Sequence, residues 1–115
     1  PAVTAADFGN NAGLVIGQAI SDWRERLPGL RCAVSIDGQV RGDGGAAAIP
    51  GGPLASLAFL LNHLHPRGRV LNTGDLVSTG AAAGVHPIIT GQTARADFGV
   101  DGVIDCLAIA AEPAP

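Results

Sequence analysis

Residues 30–45 read L-R-C-A-V-S-I-D-G-Q-V-R-G-D-G-G, and this stretch decides the fold class. Its first seven residues alternate in part between apolar and polar and have the length of a strand. Asp37-Gly38 then gives a two-residue hairpin signal, because glycine tolerates the positive φ such turns need. Gln39-Val40-Arg41 begins a return strand. Gly42, Gly44 and Gly45 interrupt it, which predicts a bulge or a close approach of one backbone to another.

Beyond the hairpin, Gly51-Gly52-Pro53 precedes L-A-S-L-A-F-L-L-N-H-L-H at 54–65. Proline suits a first helical turn. Leu54, Leu57, Ala58, Leu61 and Leu64 recur at helical spacing, and Phe59 and Leu60 widen that stripe, so a helix buried on more than one side is expected. Pro66 should stop it and Gly68 begin the exit. Residues 72–75 read as a turn, 76–79 as a short strand and 87–89 as extended. A turn at 90–92, an alternating run at 93–98, a turn at 99–102 and a last apolar strand at 103–110 complete the chain, with a loose tail. On the N-terminal side, residues 12–20 (A-G-L-V-I-G-Q-A-I) are strand-length and apolar. Residues 22–27 are polar, and Pro28-Gly29 breaks the chain. The pattern is one α+β domain over residues 1–115, with several strands in an antiparallel or mixed sheet and one prominent buried helix.

Composition narrows the partners. The chain has 115 residues, 47% of them hydrophobic, which excludes an unfolded polar chain. Three Phe, one Trp and no Tyr leave an aliphatic core. The net charge is −3, all basic residues are Arg, and they are scattered, so nucleic acid is not an expected partner. No run reaches the roughly 18–20 apolar residues that span a bilayer. Cys32 and Cys106 lie among apolar neighbours, which favours two buried thiols over a disulfide and points to a reducing, cytoplasmic setting. The absence of Met raises the expectation that the chain is part of a longer protein.

Chemistry-bearing residues are sparse. His63 and His65 are two apart on the expected helix, point in different directions, and suit a helix end rather than a metal site. His86, after Gly84, is a candidate site residue, against the plainer reading of a solvated loop histidine. Glu25 and Glu112 read as surface residues, and the Asp residues are spread out, half of them beside Gly in turns. No cluster fits a Mg²⁺ or Ca²⁺ site. The absence of Lys excludes lysine chemistry from this chain. The Gly-rich run at 42–52 lacks the Lys and spacing of a phosphate loop. The loop 80–84 follows Ser78-Thr79, so backbone N–H groups and the Thr79 hydroxyl there suit a carboxylate. A plain connecting loop is the competing reading.

Four segments in order carry a resemblance: G-L-R-C-A-V-S-I-D-G-Q-V-R-G-D-G-G-A-A-A-I, G-G-P-L-A-S-L-A-F-L-L-N-H-L, R-G-R-V-L-N-T-G-D-L-V-S-T-G and T-G-Q-T-A-R-A-D-F. Together they resemble the C-terminal part of bacterial 2-keto-4-pentenoate hydratases, in the fumarylacetoacetate hydrolase superfamily, which includes the 2-oxo-3-hexenedioate decarboxylases. Residues 6–17, A-D-F-G-N-N-A-G-L-V-I-G, resemble the stretch that opens this region in the family. The resemblance implies a β-rich roll with the long helix packed against curved sheets. It implies hydration of 2-hydroxypenta-2,4-dienoate to 4-hydroxy-2-oxopentanoate, or a related decarboxylation or C–C hydrolysis. It also implies a homo-oligomer and a divalent Mg or Mn in the full-length parent. The family's metal ligands, an E-x-E pair and another acidic residue, lie upstream of the matched region, so no metal ligand and no catalytic residue is expected in this chain. Thr79, Gly80 and His86 are the expected substrate-binding residues. The chain departs from the family at Ala81, where a hydroxyl residue is usual, at Phe8 in place of Asn, and at Asn10 and Asn11 in place of small residues. A non-catalytic oligomerisation domain is the competing role.

Overall fold

The computed structural model describes residues 12–113. The departures at Phe8, Asn10 and Asn11, and the first half of the opening motif, lie outside them. The described elements run in order α1 (Trp23–Arg26), β1 (Arg31–Ile36), β2 (Gln39–Gly45), α2 (Gly52–Leu64), β3 (Thr93–Asp97) and β4 (Val103–Leu107), linked in part by single 3₁₀ turns. The four strands form one sheet in the order β2-β1-β3-β4, and every pairing is antiparallel. The class is α+β; among the described residues the sheet has no parallel pair, so the mixed sheet is not found.

The expected hairpin forms. Asp37 and Gly38 both have positive φ, 49° and 77°, the pattern of a type I′ turn. The Asp37 carboxylate accepts from the backbone N–H of Thr93 at 2.9 Å, so one side chain ties the hairpin tip to β3. The expected irregularity in β2 is also present. Ser35 pairs with Val40 but Val34 pairs with Gly42, leaving Arg41 as the extra residue. A one-residue shift exchanges the two faces of a strand. It therefore places Gly42 and Gly44 on the face that carries Val34 and Cys32, and turns Asp43 to the other side.

That face is the covered one. Cys32, Ile36, Ala46 and Ile49 are its buried apolar residues. Val34 pairs with Ala96, and Ala96 with Ile104, so a half-buried apolar row crosses the sheet. Residues 15–20 lie over its β4 end, where a Cβ on Gly17 would meet Ile104 at 3.1 Å. The opposite face is polar. Arg31 pairs with Asp43 at 2.9 Å and Arg95 with Asp105 at 2.7 Å, both exposed.

Three expectations fail here. Residues 12–20 and 76–79 are not strands. Their sequences suit a strand, but no edge in the described sheet pairs with them, and an unpaired strand has no ladder to stabilise it. The helix is not buried. It forms over the expected residues and ends through His65 and Gly68, the latter at φ 65°. Its half-buried side is Pro53, Ser56, Leu57, Leu60 and Leu64, however, while Leu54, Phe59 and Leu61 face outward. A helix apolar nearly all round cannot announce which side packs. Finally, Cys106 is exposed near the end of edge strand β4, so only Cys32 is a buried thiol.

Candidate functional site

A cleft of about 200 Å³ opens beside the N-terminal end of β1. Leu27 and Leu30 reach it from the turn after α1, Cys32 from β1, Ile49 from the turn after β2, and Thr79 and Gly80 from the loop beyond α2. Two hydrogen bonds fix these walls. The Ala46 N–H donates to the Leu30 carbonyl at 2.9 Å, and the Gly45 N–H donates to the Ala82 carbonyl at 3.2 Å. Gly80 lies against Ile49, where an added Cβ would sit 3.5 Å from the side chain.

Charge at the cleft is neutralised within the chain. Asp101, from the turn between β3 and β4, lines the wall and is held bidentate by Arg26, with oxygens 2.7 and 2.6 Å from the two guanidinium nitrogens. The Asp101 side chain is only 11% exposed. The Arg26 hydrogen bond holds its carboxyl below the usual carboxylate range, and the same contact raises the guanidinium. Arg26 also reaches Asp22 at 3.0 Å. Burial pushes the Cys32 thiol up, so it is a neutral wall atom rather than a nucleophile. The Thr79 hydroxyl makes no hydrogen bond among the described residues. The site is thus an apolar pocket with one open hydroxyl, a neutral thiol, a compensated carboxylate and Arg31, itself paired with Asp43, suited to a small molecule with an apolar body and an oxygen-bearing end.

Of the three expected substrate-binding residues, the fold brings Thr79 and Gly80 to the cleft and leaves His86 outside its lining. The His86 ring lies over Gly42, and its Nε2 donates to the Ala83 carbonyl at 2.6 Å. The loop 80–84 is a poorer anion cradle than its glycines suggest. The Ala82 and Gly84 N–H groups bond inward to the carbonyls of Gly80 and Ala81. His63 stacks on Phe59, with ring centroids 5.7 Å apart. Among the described residues no three His, Cys, Asp or Glu side chains converge on a point that holds a metal. Asp101 and Arg26 escape sequence reasoning because their contact spans 75 positions and neither residue sits in a motif. Comparison with protein-family models, curated proteins and solved structures returns no match.

Proposed function

We propose that this chain is the C-terminal, substrate-cleft portion of a hydro-lyase that resembles the 2-keto-4-pentenoate hydratases. The observation that carries the reading is the meeting of Thr79 and Gly80, from the G-D-L-V-S-T-G motif, with the apolar cleft. In the reaction, 2-hydroxypenta-2,4-dienoate first ketonises, losing the enol proton and gaining one at C5. Water then adds, hydroxyl at C4 and proton at C3, giving 4-hydroxy-2-oxopentanoate. The residues present do not fit the divalent Mg or Mn that the resemblance implies, since Asp101 has both oxygens on Arg26. That ion is assigned to an E-x-E segment outside this chain. Here the Thr79 hydroxyl donates to an oxygen of the 2-oxo acid, while Leu27, Ile49 and Phe98 shield the carbon chain from water.

The test uses 2-oxobutanoate, a stable 2-oxo acid, titrated into the full chain while amide shifts are followed by NMR. Shifts should concentrate at Cys32, Thr79 and Gly80. Thr79→Val should weaken binding about five- to tenfold, the loss of one hydrogen bond. Shifts scattered over the surface, or unchanged affinity in the variant, would sink the reading. A non-catalytic oligomerisation domain is the second reading, favoured by the outward-facing Leu54, Phe59 and Leu61.

A further inference from the structure

We infer that His86 is a positioning residue, a latch that holds the 80–84 loop on β2 and thereby sets the Thr79–Gly80 wall of the cleft. The loop lies on the two glycines that the β2 bulge turns inward. A Cβ on Gly42 would collide with the Ala83 carbonyl, and one on Gly44 with the Ala82 carbonyl, so only bare backbone lets the loop come this close. One hydrogen bond, from Gly45 N–H to Ala82, joins the loop to the strand from below. His86 closes it from the other end. Its ring sits within 3.2 Å of where a Gly84 side chain would begin, over Gly42, and its Nε2 reaches back to Ala83. A carbonyl only accepts, so Nε2 carries the proton. Ala82 is both the residue clamped to β2 and a lining residue of the cleft, which gives the latch a path to Thr79 without touching a ligand.

Two variants separate a specific latch from general packing. His86→Leu keeps bulk and loses the donor, whereas His86→Gln keeps a donor. Amide exchange at Gly45, Ala82 and Gly84 should quicken about five- to tenfold in His86→Leu and return near the native rate in His86→Gln. Exchange in the β1–β3 ladder, at Ser35 and Arg95, should not move. Unchanged loop exchange in His86→Leu would overturn the latch, as would equal acceleration across β1–β3, or failure of glutamine to rescue. The link to affinity rests on the proposed function and is read separately, with 2-oxobutanoate. If the native chain does not bind it, that function falls while the exchange data still decide the latch. If the native chain binds it and His86→Leu binds equally well, the latch does not set the cleft wall.

Discussion

Asp101 shows what single residues contribute and what sequence can say about them. Its neighbours, Val100 and Gly102, suggest only a turn, and the partner lies on α1 far back in the chain. The pair fastens α1 to the β3–β4 turn, so its loss should loosen both. Asp101→Asn should lower the melting temperature at neutral pH, and the effect should depend on pH with a fixed sign. The folded-state value lies below the ordinary one. The stabilisation is therefore complete above the ordinary carboxylate value and is lost as pH falls through the lowered one. Thermal melts from neutral pH down into the acid range should show the native chain and Asp101→Asn converging only at the acid end. A difference that persists there would assign the effect to packing. Asp37 was half legible by comparison. The Asp-Gly pair announced the turn, but not the bond from Thr93 that anchors it.

At the scale of elements, legibility follows whether an element satisfies its own backbone. Helix α2, the β1–β2 hairpin and the β3–β4 pair are readable because their signals are local: a proline start, an Asp-Gly turn, and an alternating run followed by a short turn and an apolar run. Residues 12–20 and 76–79 mislead because a strand exists only against a partner, and apolar content does not reveal whether one is within reach. The glycines of β2 were read as a bulge or close approach, and both occur. Their consequence is a contrast between two substitutions. Gly44→Ala should destabilise by about 1–3 kcal/mol, since its Cβ meets main chain that cannot move aside. Gly29→Ala meets nothing within 4 Å and needs no positive φ, so it should be neutral or stabilise by up to about 1 kcal/mol. Urea titrations of both variants check the pair. Equal costs would mean that the close approach of loop to strand is not what keeps Gly44 a glycine.

The whole molecule is more open than its length requires. Its radius of gyration is 16.0 Å, where a compact domain of this size has about 13 Å. Its accessible surface is 8865 Å², where roughly 5,800 Å² is usual for the mass. Among the described residues only four apolar ones are buried, while Phe59, Val85 and Ile89 remain about 70% exposed or more. Hydrophobic burial is the main favourable term in folding, so so much open apolar surface favours contact with further polypeptide. The outward side of α2 is part of that surface, since Leu54, Phe59 and Leu61 are all exposed and the helix sequence holds no Asp, Glu, Lys or Arg. The chain on its own should therefore associate. Sedimentation velocity across a concentration series should show species heavier than 11.4 kDa growing with concentration. The double variant Phe59→Ser, Leu61→Ser should shift that growth to higher concentration. It should leave the sheet's circular dichroism unchanged, because neither side chain contributes to the buried core. A native chain that stays monomeric throughout would show that this surface is tolerated in water, and would remove the main support for an oligomerisation role. Association that the double variant does not weaken would move the contact away from α2, to the exposed extended segments around Val85 and Ile89.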